Sequence, residues 1–322
     1  MVNKSMRDLR IEMGAFAPIP SNNASPLNYI GGKAKVAERL WRLRPVAASF
    51  DTIIDPFFGG GATPLTFARL DAHRKKHYRV RDMFGPTVSF WQVLQAQPWE
   101  LAKAVDILLH RFADGRALYM ACLEHIKEWQ ATGQGSVAAA AAYYIHTHTC
   151  VPAKQLHLLP RGYGPLRATK WLSNAKGTTG RLIRWSALIA DWDIRQQDYK
   201  ATMAEAIELG DRAFAFIDPP YEGQDADLYD CSFTADDHDR LGGLVSAAGR
   251  NGAKCMVTIN HSPVNNRRYA DHFRLLREQV YAVNEPGTDQ KKVGTELVVL
   301  TYEPPCFQNM VANNNWRFAV KV

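Results

Sequence analysis

Ala213-Phe214-Ala215-Phe216-Ile217 is an unbroken apolar run that ends on Asp218-Pro219-Pro220-Tyr221. A run this short, rich in aromatic and branched residues and bounded by a hard stop, reads as a buried strand. Proline has no N–H to give a neighbouring strand, so pairing cannot continue past Asp218. The same punctuation recurs along the chain. Thr52-Ile53-Ile54 stops at Asp55-Pro56, Tyr78 to Arg81 stops at Asp82, Trp192-Asp193-Ile194 leads to Asp198, and Cys255 to Ile259 stops at Asn260. Between these runs lie helical patterns: Val36, Leu40 and Leu43, then Ala62 to Leu70, then Phe90 to Leu94. Strands alternating with helices predict an α/β fold with a mixed, mostly parallel sheet flanked by helices. In an open sheet of that kind the polar residues just past the strands line the carboxyl edge, where ligands bind. Leu297 to Thr301 is expected to be the last strand.

The chain has 322 residues, 46% of them apolar, enough for one large domain or one domain carrying an insertion. The interruption falls in the middle. Pro98 to Ile145 reads as mainly helical, with an alanine-rich stretch from Val137 to Ala142, while Val151 to Thr179 mixes Gly, Pro, aromatic and basic residues without a period and reads as irregular structure or a hairpin. From Trp129 through Ala190 there is no Asp or Glu, whereas Lys154, Arg161, Arg167, Lys170, Lys176, Arg181 and Arg184 punctuate its second half. Within a chain of net charge +7, that is the composition of a phosphate-facing surface. The expected organisation is therefore residues 1–97 and 191–322 as two parts of one α/β domain, with 98–190 inserted between them. The tail from Pro304 to Val322 carries no pattern.

No run of eighteen apolar residues occurs and the first ten residues lack the zones of a signal peptide, so a cytoplasmic protein with no membrane partner is expected. The five cysteines are scattered and read as reduced thiols.

Four motifs carry chemistry. Asp55-Pro56-Phe57-Phe58-Gly59-Gly60-Gly61 places three glycines between a strand and a helix, where the absence of Cβ lets backbone approach a ligand. Asp82, about one βα unit later, is placed to accept hydrogen bonds from ribose hydroxyls. In Asp218-Pro219-Pro220-Tyr221 the carboxylate can accept a hydrogen bond from an amine, the prolines fix a carbonyl that can accept another, and the aromatic face can stack on a planar base. The fourth, Gly287 to Gly294 with Lys291 and Lys292, is either a solvated loop or a phosphate-contacting one, and His261-Ser262 flanks another strand. His146, His148 and His157 lack the acids or cysteines that would complete a recognisable metal site, so no metal is expected. Pro305-Cys306 follows the last strand and reads as an incidental tail dipeptide.

Pro26-Leu27-Asn28-Tyr29-Ile30-Gly31-Gly32-Lys33, then Asp55 to Gly61, then Asp218 to Tyr221 resemble, in the same order, the successive motifs of Dam-type DNA adenine methyltransferases. The resemblance spans roughly Pro26 to Tyr302. It implies a Rossmann-like methyltransferase fold with a target-recognition insert, S-adenosylmethionine as cofactor, and methylation of the exocyclic N6 amine of a flipped adenine by Asp218, Pro219, Pro220 and Tyr221. It implies cofactor contacts from Tyr29, Gly32, Lys33, Asp55, Phe57, Gly59, Gly61, Asp82, Asp198 and Asp218, Asp82 facing the ribose and Asp198 the cofactor adenine. Residues 1–97 would be the cofactor-binding part, 98–190 the recognition insert and 191–322 the catalytic part. DNA contacts would come from Lys154, Arg161, Arg167, Lys170, Lys176, Arg181, Lys291 and Lys292, on a double-stranded partner, by a monomer or weak dimer. The family's Asn-Arg-Thr-like segment reads here Ile145-His146-Thr147-His148-Thr149-Cys150, so target choice does not carry across.

Related Pro-Pro-Tyr motifs also serve RNA adenine, N4 of cytosine and protein glutamine. Asp at position 218 favours adenine, and the acid-free insert favours nucleic acid. A non-catalytic cofactor-sensing or DNA-binding module is the alternative of another class, and the intact motifs speak against it.

Overall fold

Thr52–Asp55 (β1), His77–Asp82 (β2), Asp193–Gln196 (β3), Ala213–Ile217 (β4) and Lys254–Asn260 (β5) are the expected strands, and they lie parallel in the order β3-β2-β1-β4-β5. They are seen in a computed structural model that describes residues 24–72, 74–133, 137–151, 154–175, 178–221, 233–284, 291–305 and 317–318. The order reverses at β1, which has β2 on one side and β4 on the other. That reversal opens a crevice at the carboxyl ends of β1 and β4, the place where open α/β sheets bind ligands.

Beyond β5 the sheet turns antiparallel. Lys291–Leu300 (β7) pairs with β5, Phe273–Asn284 (β6) pairs with β7, and the two-residue strand Arg317–Phe318 (β8) closes the edge. The mostly parallel sheet flanked by helices is a Rossmann-like fold, as expected. The last expected strand starts earlier than Leu297, because β7 already pairs along β6 from Lys291, in a stretch where Val293 is the one apolar residue ahead of Leu297. β6 itself went unmarked in the sequence, since Arg274, Arg277 and Glu278 break its apolar run.

Neighbouring residues on each strand serve opposite faces, as the pleat requires. Ile53, Phe214, Phe216, Met256 and Val298 pack in one core with Ala37–Leu43 (α1), Ala62–Leu70 (α2) and Gly85–Ala96 (α3). Ile54, Ala215, Ile217 and Val257 pack in the other with Tyr199–Leu209 (α9) and Ala235–Arg250 (α10). Pro98–Arg111 (α4), Gly115–Thr132 (α5), Val137–Thr149 (α6), Pro165–Leu172 (α7) and Thr178–Leu188 (α8) make up the helical insert, and they add Leu101, Leu118, Ile145 and Leu182 to the first core.

The stretch from Val151 is not simply irregular or a hairpin. Cys150 and Tyr163 make one isolated antiparallel bridge around a short turn at Pro160–Gly162, and α7 follows. α7 escaped notice because its apolar stripe, Ala168, Trp171 and Leu172, is only one turn long and lies among Gly, Pro and basic residues, with Leu166 89% exposed. Pro165 reads as a breaker but occupies the start of the helix, where a missing N–H costs nothing. Among the described residues no helix is long and apolar enough to cross a membrane.

Candidate active site

Asp55 ends β1 as a buried residue whose Oδ1 accepts the Phe57 N–H at 2.9 Å. Asp82, at the end of β2, accepts the Gly59 N–H at 2.7 Å and the Phe84 N–H at 2.8 Å. The second acid therefore ties the glycine turn to its own strand. Burial lifts both carboxyls above the usual carboxylate range, and for Asp55 the nearby Asp218 and Asp82 add to the rise. Gly59 has φ +47°, and a Cβ there would come within 2.8 Å of the Tyr29 ring, while one at Gly60 would collide with the Tyr29 Cβ. The glycines thus let Tyr29 sit down on the turn. The Gly32 N–H closes back on the Tyr29 carbonyl at 3.3 Å, giving the bend that delivers Lys33. Phe57 points to the other core, stacked on Tyr199 with ring centroids 5.8 Å apart. Asp198 caps α9 by accepting the Lys200 N–H at 2.7 Å, and its side chain is 42% exposed.

Lys33 is brought onto Asp218 at the end of β4. Its Nζ lies 2.7 Å from Oδ1 and 2.9 Å from Oδ2, and the Thr258 hydroxyl on β5 donates to Oδ1 at 2.7 Å. Burial alone would discharge Lys33, but Asp218, Tyr221 and Glu296 outweigh it and hold the ammonium well above the ordinary lysine range. Burial keeps the Asp218 carboxyl above the ordinary range against the pull of Lys33. Lys33 also lies 4.9 Å from the centroid of the Tyr221 ring, a cation–π contact. The Tyr221 hydroxyl, kept protonated by burial, donates to Glu296 Oε1 at 2.5 Å. Pro219 is buried and Pro220 half-buried, with neither in a strand or helix.

Thr258 and Glu296 escaped the sequence reading. Thr258 is one hydroxyl in the run Cys255 to Ile259, and Glu296 is one acid ahead of Leu297 to Leu300. The signal was positional: each is a polar residue in or beside an apolar strand run, Thr258 on β5 next to β4 and Glu296 on β7, one strand further out.

The insert is fastened to the segment before Lys33. Gln155, 1% exposed, donates to the Asn28 carbonyl at 2.6 Å and accepts the Ile30 N–H at 2.9 Å, so it holds the backbone on both sides of Tyr29. His148 Nε2 lies 3.0 Å from the Pro26 carbonyl and His146 Nε2 lies 2.8 Å from the Gln155 carbonyl. These histidines serve the backbone, and burial pushes each down to about 4. A carbonyl needs a donor, so Nε2 carries the proton of the neutral ring in both.

Of the expected phosphate contacts, Arg161 and Lys170 are exposed, Lys154, Arg167 and Arg181 are half-buried, and Arg181 donates to the Thr178 hydroxyl at 3.0 Å. Among the described residues none of these five makes an ion pair with an acid. Lys176, Gly287 to Gln290, Cys231 and Cys306 lie outside the described residues, as do the side chains of Lys291 and Lys292, whose backbone opens β7. The His261 N–H pairs with the Thr295 carbonyl while its side chain is exposed, and Ser262 caps the helix Pro263–Arg268.

An acid held at a strand end by a lysine, followed by two prolines and an aromatic ring, is thus joined to a glycine turn and a cation-rich insert. A search of curated proteins finds no match to the chain. The model of one family, the D12 class N6 adenine-specific DNA methyltransferases, matches residues 29–283, a span that runs from Tyr29 through the glycine turn, the insert and Asp218 into β6. The chain belongs to the D12 class of N6 adenine-specific DNA methyltransferases, enzymes that methylate adenine in DNA.

Proposed function

We propose that the chain transfers a methyl group from S-adenosylmethionine directly to N6 of an adenine turned out of duplex DNA, with Asp218 and the Pro219 carbonyl accepting the hydrogens of the amine and Tyr221 stacking on the base. The observation that carries this reading is the state of the Asp218 carboxyl. Among the described residues Oδ1 already accepts from Lys33 and Thr258, whereas Oδ2 accepts from Lys33 alone, so Oδ2 keeps room for one more donor. The amine of adenine is such a donor.

Its lone pair is delocalised into the ring, so the amine is a poor nucleophile until hydrogen bonds favour a tetrahedral nitrogen. Asp218 and Pro219 supply that bias from a strand end, and most of the rate comes from holding the nitrogen in line. As the N–C bond forms the nitrogen must shed a proton. Asp218, the carboxylate placed to accept the amine hydrogen, is the acceptor within reach.

S-adenosylmethionine, when bound, supplies the electrophilic sulfonium methyl and carries its positive charge. Asp55 and Asp82 fit it: burial holds both carboxyls above their ordinary range, and Asp55 has Asp218 and Asp82 as like-charged neighbours, a setting that suits a cationic ligand. Asp55 and Asp82 would hold it with Tyr29, the glycine turn and Asp198.

In duplex DNA the amine is paired and stacked, so the base must be extruded and its backbone held while Tyr221 takes over the stacking. Lys154, Arg161, Arg167, Lys170 and Arg181, on a stretch without acids, suit phosphate contacts.

The test is product identification. Methyl-labelled S-adenosylmethionine is supplied with unmethylated duplex genomic DNA, the same DNA denatured, or RNA, and the nucleosides are separated after digestion. Label in N6-methyladenosine from RNA but not in N6-methyldeoxyadenosine from duplex DNA, or in N4-methylcytosine, would overturn the reading.

A further inference from the structure

We propose that Glu296 is a positioning residue for methyl transfer, a buried carboxyl that fixes the Tyr221 hydroxyl and thereby the plane of the ring on which the target base stacks. The inference rests on the reading of Tyr221 given above and goes beyond it, because Glu296 lies 75 residues further along the chain, on a strand separate from the Asp218 motif.

Glu296 is fully buried inside β7, in register with Asn260 on β5 and Arg277 on β6. An acid at such a position is costly unless it is paired and hydrogen-bonded, and an apolar side chain would serve strand packing better. Among the described residues its only side-chain hydrogen bond is the one from Tyr221. Its charge partners are Lys33, 3.5 Å from Oε1, and Arg277, 3.7 Å from Oε2, and Oε2 makes no hydrogen bond among the described residues. A carboxyl kept for structure alone would close on Arg277. This one instead spends its hydrogen bond on Tyr221 and sets its charge beside Lys33, the residue that holds Asp218.

Tyr221 needs such a hold. It belongs to no strand or helix, and the prolines before it contribute no N–H with which to tie the backbone down. A ring anchored only at Cβ can turn about χ1 and χ2; one also anchored at its hydroxyl, to a residue built into a sheet, cannot. Stacking on a flipped base requires one plane, and displacement by about an ångström can cost roughly a hundredfold in rate.

Three variants test this with methyl-labelled S-adenosylmethionine and unmethylated duplex genomic DNA. Tyr221→Phe keeps the ring and deletes only the hydroxyl. It is expected to lower kcat by roughly ten- to a hundredfold with cofactor affinity unchanged. Glu296→Leu should lower kcat to the same extent, Glu296→Gln, which retains an acceptor, should recover most of it, and Glu296→Leu added to Tyr221→Phe should cost less than about threefold more. Parental kcat in Tyr221→Phe overturns the proposal, including when Glu296→Leu does not fold. So does a Glu296→Leu loss as large in the Phe background as in the parent. Asp218→Ala, measured alongside, separates the two failures: transfer by Asp218→Ala sinks the site itself, whereas an inactive Asp218→Ala beside a fully active Tyr221→Phe sinks only the role of Glu296.

Discussion

The carboxyl edge of the sheet and the basic insert treat charge in opposite ways. Around Asp218 at the edge, charges are answered at close range: Lys33 by Asp218 and Glu296, Glu296 by Arg277. In the insert, 62 consecutive residues from Trp129 to Ala190 carry no acid, and Arg161 and Lys170 stand exposed. A charge answered inside the protein serves geometry, because its position is fixed; a charge left to solvent is available to an outside anion. The contrast supports the proposed division, with chemistry at the edge and DNA holding in the insert.

The largest effect is expected where the edge loses its cation. Lys33→Met leaves Asp218 and Glu296 facing each other, and should lower single-turnover methyl transfer by about a hundredfold or more and stability by about 3 kcal/mol, read from a urea titration. A variant as active and as stable as the parent would mean that the edge does not depend on its internal pairing.

The joint between the two regions makes the second prediction. His146 and His148 are held at about 4, well below the ordinary 6.5, because burial disfavours the charged ring. A depressed folded-state value means that the unfolded chain binds more protons between pH 6.5 and 4, so stability is full above 6.5 and is lost as pH falls through that window. At pH 5 each histidine should cost about 2 kcal/mol relative to neutral pH, and His148→Asn should remove its share of the pH dependence. A urea midpoint equal at pH 7 and pH 5 would contradict the neutral latch.

The insert is probed by salt. If about four phosphates are neutralised, affinity for duplex DNA should fall roughly a hundredfold between 50 and 200 mM salt. Smallest of all, Arg161→Ala alone should weaken binding several-fold and reduce the logarithmic salt slope by about 0.9, leaving stability within about 0.5 kcal/mol of the parent. An unchanged slope would remove Arg161 from the DNA surface.

What could be read from the sequence follows the same division. β1, β4 and β5 were visible because each is a short apolar run ended by Asp or Asn, and β2 because Tyr78 and Val80 alternate up to Asp82; those endings also marked Asp55, Asp82 and Asp218 as edge residues. The motif order was enough to indicate the family. β6 and the first half of β7 were hidden because a strand next to a buried ionic site carries Arg277 and Glu296 where a strand pattern calls for apolar residues. α7 was hidden because a helix of eight residues shows its stripe, Ala168, Trp171 and Leu172, over a single turn. The pairing of Lys33 with Asp218, 185 positions apart, is a product of topology: only the closing of the sheet brings the segment before α1 to the end of β4. Gln155 is the same case. Nothing in its neighbours marks it, yet it grips the backbone on both sides of Tyr29.

The division of labour is tested most directly by measuring single-turnover rate and DNA affinity together, in Asp218→Ala and in the double variant Arg161→Ala, Lys170→Ala. The account predicts that Asp218→Ala binds duplex DNA like the parent and does not methylate it, whereas the double variant binds about ten-fold or more weakly and, once saturated with DNA, methylates at the parental rate. A double variant that stays slow at saturation, or an Asp218→Ala protein that still methylates adenine, would contradict it.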